Sequence, residues 1–399
     1  MTRRARRTRA CAALGAALIV GAAALEADAA LGERREVPAE RVLRSGSRNL
    51  LGTGEERSAS VRLGDVDGDG DLDAVVANGR HWPAQNLVHL NQGGGRFNVI
   101  RPLGVDRATS YATELVDLDG DGDLDLAVGN DVAPNLVFLN DGEGRFEQAG
   151  GFGSPTSLRS VTAADVDGDG DPDLILCVRK RPNEIHLNDG SGGFTEQRTF
   201  GRPGDSTIDV AAADLDGDGD LDLVLANRDG QANAVLLGDG EGSFDQRLEY
   251  GSGSDETRAV AAADLDGDGH VDWVAGNIGQ RDVLYFGDGK GGVREAVSFG
   301  PEDGRTYALA LADLDRDGVL DVVAGRAGQP DAAYLRGAPS EPLRELVFGE
   351  PEDVTYGLDV GDVNGDGFPD VAVAVSDGPN RIYLNLPEKP ERRRERSPR

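Results

Sequence analysis

Residues 214–222 read DLDGDGDLD, and this nine-residue pattern occurs seven times in the 399-residue chain, starting at Asp65, Asp117, Asp165, Asp214, Asp264, Asp313 and Asp362. The spacings are 52, 48, 49, 50, 49 and 49 residues, a period that belongs to propeller blades and exceeds that of helical-pair or leucine-rich repeats. Working outward from the fourth copy, Ile208 to Ala213 read as a strand before it and Leu221 to Ala226 as a strand after it. In the second unit Asn135 to Asn140 supply a third strand, and a fourth starts after the glycine-rich turn NDGEGRF at 140–146. Four strands of about six residues with turns of similar length fill one period, and no stretch keeps a helical period. The expected fold is all-β: a seven-bladed β-propeller of four-stranded blades.

Ring closure is also predicted. The seventh unit lacks a fourth strand before the chain turns charged and proline-containing at Pro387, while Leu51 and Gly52 precede the first nonapeptide as Phe200 and Gly201 precede the fourth. An N-terminal strand near residues 44–51 is therefore expected to complete the last blade and close the ring, which removes an open sheet edge. The domain reading is a signal peptide at 1–29, a linker at 30–43, the propeller at 44–386 and a disordered basic tail at 387–399.

The signal peptide reading rests on Arg3, Arg4, Arg6, Arg7 and Arg9, an apolar run from Cys11 to Leu25, and the small-x-small site at Ala27, Asp28 and Ala29. The run is too short to span a bilayer, which takes roughly 20 apolar residues, so a secreted protein, extracellular or periplasmic and without a membrane span, is expected. Cleavage leaves Cys177 as the one cysteine, so no internal disulfide is available. Its apolar neighbours mark it as a buried small hydrophobe. A net charge of −31 argues against nucleic acid or an anionic membrane as the main partner. The acid is concentrated, with 31 aspartates inside the seven nonapeptides, and such local density calls for cations.

The nonapeptide is a donor set for a hard divalent cation. Carboxylates stand at position 1 (Asp65, Asp117, Asp165, Asp214, Asp264, Asp313, Asp362), position 3 (Asp67, Asp119, Asp167, Asp216, Asp266, Asp315, with Asn364 in the last copy), and position 5 (Asp69, Asp121, Asp169, Asp218, Asp268, Asp317, Asp366). Position 7 offers its backbone carbonyl, so Asp71, Asp123, Asp171, Asp220, His270, Val319 and Phe368 are all tolerated there. Position 9 adds Asp73, Asp125, Asp173, Asp222, Asp272, Asp321 and Asp370, and glycine at position 6 allows the sharp turn. Six to eight oxygens in flexible geometry suit Ca2+ better than Mg2+, and no Cys or His cluster suits Zn2+. An EF-hand would need Glu at position 12, where this chain has apolar residues such as Val76, Val128 and Leu225. Up to seven Ca2+ ions, one per blade, are expected, with the Asn364 site the weakest.

These loops, with flanking segments such as FGRPGDSTIDVAAADLDGDGDLDLVLAN and NLVFLNDGEGRF, resemble FG-GAP or VCBS repeats, the units of the integrin α-subunit N-terminal propeller and of many bacterial secreted proteins. The resemblance covers about residues 44–386. It implies a calcium-binding propeller, and for function it implies only a range: adhesion receptors, sugar-binding lectins and some polysaccharide lyases share the fold.

Three functions fit: a binding or adhesion module for an extracellular glycan or protein ligand, a polysaccharide-active lyase or hydrolase, and a purely structural calcium-rigidified spacer. The first is favoured, with no catalytic residue assigned, since His89 and His186 read as exposed strand positions, His270 lies in a loop, and His81 beside Trp82 reads as a loop anchor. The ligand face is expected opposite the calcium loops, where loops from second to third strands and from fourth to first strands meet. It collects Arg80, His81 and Trp82, further loop cations (Arg179, Lys180, Arg181, Arg228, Arg281, Arg326), and the residue six before each calcium-loop Asp, including Tyr111, Arg159, Arg258, Tyr307 and Tyr356. By resemblance, integrin propellers also bind away from their calcium loops. A monomer is expected.

Overall fold

The computed structural model describes residues 41–337 and 342–388, apart from the side chains of Thr53 and Glu55. The signal peptide, the linker as far as Glu40, and the basic tail beyond Glu388 lie outside the described residues.

Every nonapeptide sits between two antiparallel strands, and its position-9 aspartate is the first residue of the second strand, as in Asp73–Asn78, Asp125–Asn130 and Asp222–Asn227. The second strands are buried along their whole length because both sheet faces pack on neighbouring sheets. Fourth strands such as Glu196–Phe200 and Val293–Phe299 expose most of their residues at the periphery. The core consequently lies between sheets: Ile175, Ile185 and Phe200 of one repeat pack against Leu223, Leu225 and Leu236 of the next. The first strands contact one another in a closed circle, from Leu50–Gly64 through Ser110–Val116, Leu158–Ala164, Thr207–Ala213, Thr257–Ala263 and Thr306–Ala312 to Thr355–Gly361 and back.

The expectation of seven four-stranded blades is corrected by the sheet topology: five blades, not seven, stand as separate four-stranded sheets. The first and last repeats are joined in one seven-stranded sheet that crosses the closure of the ring. The reason lies in Leu50–Gly64, a single strand of 15 residues. Its start pairs with Asp370–Pro387 (Leu51 opposite Asn380, Arg57 opposite Ser376), and its end pairs with Asp73–Asn78 (Ser58 opposite Asn78, Gly64 opposite Asp73). Between Leu51 and Glu56 the register shifts, so a bulge replaces the loop that separates fourth and first strands elsewhere. Arg41–Arg44 pairs with the end of Asp370–Pro387, Arg44 opposite Leu384, and so begins inside the segment read as linker.

All seven first strands carry a second irregularity at one equivalent place. Pairing skips Ala59, Tyr111, Arg159, Ile208, Arg258, Tyr307 and Tyr356, each the extra residue of a bulge opposite the end of its second strand. A bulge re-aims the side chain at the extra position, and these are the positions six before the loop aspartates.

Adjacent repeats are tied by side chains at the ends of third strands. Asn140 and Asn188 donate Nδ2 to the carbonyls of Val66 and Leu118 in the preceding loops (2.8 and 2.9 Å), and Asn91 does the same to Val363 across the closure (2.8 Å). Each bond satisfies a buried loop carbonyl that would otherwise cost about 1–3 kcal/mol.

Candidate functional site

The nonapeptide loops share one hydrogen-bonding plan. Asp65 Oδ1 accepts from the Gly68 N–H (2.8 Å) and Oδ2 from the Gly70 N–H (3.0 Å), and Asp117, Asp165, Asp214, Asp264 and Asp362 repeat both contacts. Asp313 keeps the contact to the position-6 glycine. The position-9 carboxylate bridges the loop to the sheet: Asp73 accepts from Val66 N (3.1 Å) and Asn91 N (2.7 Å). Burial raises the pKa of Asp73, Asp173, Asp321 and Asp370 to about 7, and those of Asp125 and Asp222 to about 6.

The donor set fits a hard divalent cation. In the loops of Asp65, Asp117, Asp165, Asp214 and Asp264, three carboxylates bring oxygens within 4.8 Å of one another. Oδ1 of Asp67, Asp167 and Asp315, all at position 3, is buried with no hydrogen-bond donor among the described residues. Burial, then the neighbouring position-5 and position-1 aspartates, push Asp67 and Asp167 above the usual carboxylate range. Unsatisfied oxygens amid mutual repulsion are what a bound cation relieves. The expected tally of one ion per blade does not hold as stated, because the loops outnumber the five separate blades.

Two loops depart from the plan. In the fifth, the Arg294 guanidinium pairs with Asp266 and Asp268, placing a built-in cation on the donors of positions 3 and 5. In the sixth, Arg316 at position 4 has φ 62°, in the left-handed region. Position 4 is left-handed in the other loops too, where glycine supplies it, as in Gly68 with φ 72°.

On the opposite face the bulged residues come together at the mouth of the axis. Tyr307 and Tyr356 meet edge to face with centroids 5.1 Å apart, and Arg258 lies 5.7 and 5.3 Å from their rings. Arg80 lies 4.3 Å from the Tyr356 centroid and donates to Ser376 Oγ (2.9 Å). Arg159 lies 4.8 Å from the Tyr111 ring, and the Tyr111 hydroxyl bonds His81 Nδ1 (2.9 Å). Trp82 is exposed beside them, 5.8 Å from Arg57. The structure thus brings Arg80, His81, Trp82, Tyr111, Arg159, Arg258, Tyr307 and Tyr356 into one cationic, aromatic rim. Burial raises the Tyr356 phenol, but Arg258 and Arg80 more than offset this and hold it below the usual tyrosine range.

The FG-GAP-like repeat description matches residues 65–128, 117–176, 175–225, 214–275 and 264–324, and the FG-GAP repeat description matches residues 354–384. The chain belongs to the FG-GAP repeat family. No curated protein matches it. Among solved structures it is similar to BBS1N in complex with ARL6DN, soaked with mercury (14% identity, 86% of this chain and 98% of that chain, TM-score 0.58), and to the same complex soaked with lead (13%, 86% and 97%, TM-score 0.58). It is also similar to Saccharomyces cerevisiae Sqt1 (14%, 80% and 82%, TM-score 0.52).

Several expectations about this FG-GAP protein's side chains are corrected. His89 and His186, read as exposed, are 0% and 3% exposed, because third strands face a neighbouring sheet. Burial lowers His89 to about 4, and His186 instead bonds Glu184 (3.0 Å). Most loop cations assigned to the ligand face are already paired: Arg179 and Lys180 with Asp229 (2.7 and 3.5 Å), Arg228 with Glu256 (3.5 Å), Arg281 with Glu302 (3.3 Å). Arg326 is buried against Tyr334. Cys177 is buried, as expected, and burial pushes its thiol pKa up.

Proposed function

We propose that this FG-GAP propeller is a secreted, calcium-stiffened binding module that engages an extracellular glycan or protein ligand on the Arg/Tyr rim. The observation that carries this reading is the convergence of bulged residues from separate repeats on one mouth, with Arg80 and Tyr356 meeting across the ring closure. Aromatic and arginine side chains on a rigid support supply contact area and anchoring hydrogen bonds at little entropic cost. The BBS1N structure, a similar fold, is a complex with a protein, which supports a protein-binding role. The export reading is supported by the basic, apolar and small-residue order of residues 1–29. Calcium is supported by the orphaned position-3 oxygens and serves rigidity in this reading, since the loops lie on the face away from the rim.

The test is a glycan and matrix-protein array probed with and without calcium. Tyr307→Ala, Tyr356→Ala and Arg258→Ala should abolish binding while leaving calcium-dependent melting in place. Binding that instead tracks single calcium-loop changes in a folded protein would overturn the assignment of the face.

A further inference from the structure

Among the described residues, the three most exposed large apolar side chains are Val105, Val132 and Trp82, at 92%, 72% and 64%. All three lie on the rim face, in loops of the first two repeats. The loops are stitched into one surface: Ala84 N donates to Ala108 O (3.1 Å), Asp131 N to Thr109 O (2.8 Å), and Thr109 Oγ1 to Asp131 O (2.6 Å). Val132 is held there with φ 57°, a conformation that a β-branched residue adopts only under strain. Its N–H is fixed to Thr156 O (2.7 Å).

Beside this patch stand two cations outside ion-pair distance of any carboxylate among the described residues, Asp209 being near enough to feel the charge of Arg258. Arg57 is neutralised by Asp377 (2.6 Å) and Arg159 by Asp131 (3.3 Å), but neither Arg80 nor Arg258 has a carboxylate within 4.0 Å among the described residues. Arg258 is only 9% exposed, so it is a desolvated charge facing the mouth. A desolvated guanidinium gains far more from an incoming carboxylate than an exposed one does.

We propose that this corner docks a segment of a partner protein that presents a carboxylate to Arg80 and Arg258 and a nearby large apolar side chain to Trp82 and Val132. Arg80 and Trp82 are held on one turn, closed by Trp82 N donating to Gly79 O (3.0 Å), so the acidic and apolar groups that meet them lie close together on the partner. A protein segment is favoured over a uronic-acid or sulfated glycan because the C–H face of a sugar can stack on Trp82 but offers little apolar area to cover the aliphatic Val105 and Val132 as well. Exposed clusters of this kind mark protein-binding surfaces. The inference rests on the proposed ligand face and specifies its ligand.

The experiment selects random linear peptides displayed on phage against the full chain in calcium, then measures selected peptides against variants. Trp82→Ala is exposed, and Val132→Gly removes the apolar branch while relieving the left-handed strain, so both should fold. Enriched peptides should pair an acidic residue with a nearby large apolar one, and each of these variants and Arg80→Gln should weaken them at least tenfold while remaining folded at the assay temperature. Arg258→Ala serves as a further variant, read only if its melting is intact. Failure to enrich any peptide, or peptides weakened by Arg80→Gln but not by Trp82→Ala or Val132→Gly, would overturn the inference. Binding of polyuronate that needs Arg258 but not Trp82 would overturn it while leaving the ligand face standing. Peptides indifferent to all four changes would overturn both.

Discussion

Arg80 lies over the ring of Tyr356, 4.3 Å from its centroid, and the contact joins the first repeat to the last. It sits above the seven-stranded sheet, where the two ends of the propeller are also joined by backbone pairing. A partly desolvated cation–π contact contributes about 1 kcal/mol. Arg80→Ala should therefore lower the unfolding free energy by about that much, and Arg80→Lys by less. Chemical denaturation in saturating calcium measures both, and an unchanged midpoint for Arg80→Ala would remove this contact from the account of closure.

Calcium removal should be far more damaging than any single substitution. Each loop holds three to five aspartates within nine residues, and binding free energy at such loops is folding free energy. Chelator should lower the melting temperature substantially, and restored calcium should reverse it. The fifth loop is predicted to bind weakly, alongside the Asn364 loop, because Arg294 occupies Asp266 and Asp268. Arg294→Ala should raise calcium affinity at one site, read by calorimetry, and an unchanged isotherm would show that the arginine does not compete.

The pH dependence should change sign with metal. For Asp73, Asp173, Asp321, Asp370 and the buried Asp331, the folded pKa of about 7 is above the unfolded value, so without metal the ionised form destabilises the fold. In chelator, stability should rise as pH falls from about 8 toward 6. Below about 6.5, His89, lowered to about 4, opposes this because its protonation favours the unfolded chain. In calcium the loop carboxylates are held ionised, so only Asp331 keeps this slope, and acidification that protonates the loops should weaken the fold. Melting curves at several pH values, with and without chelator, provide the check. A common slope in both would contradict the metal assignment.

Arg316→Gly should stabilise the protein. The left-handed backbone at φ 62° costs a residue with a β-carbon about 1–2 kcal/mol. Loss of the Arg316 contact to Phe368, at 5.4 Å, offsets part of this gain. A net gain of about 0.5–1 kcal/mol in thermal or denaturant unfolding is expected.

Cys177 should resist thiol reagents in the native protein, because it is buried and its thiolate is disfavoured. Labelling on the timescale of global unfolding is the expected result, and rapid labelling would contradict it.

The sequence by itself determined what is local in the chain. The nonapeptide specifies its own turn, since Asp65 accepts from the Gly68 and Gly70 N–H groups three and five residues away. Strand type followed from residue choice and period, and so did the burial of Cys177. The equivalent positions of Tyr111, Arg159, Arg258, Tyr307 and Tyr356 were visible as well, because a repeat carries its own numbering. Only the tertiary structure decided what depends on a neighbouring repeat. The count of separate blades turned on one strand, Leu50–Gly64, pairing with the far end of the chain. No composition or spacing encodes that the register slips there without breaking the strand. The burial of His89 and His186 was hidden because alternation tells which side of a sheet a residue takes but not whether another sheet covers it. The salt bridges that neutralise Arg179 and Arg281, and leave Arg80 and Arg258 outside any ion pair among the described residues, likewise depend on loops brought together by the ring. Local hydrogen bonding and period are properties of one repeat, whereas closure, burial and charge pairing are properties of the repeats together.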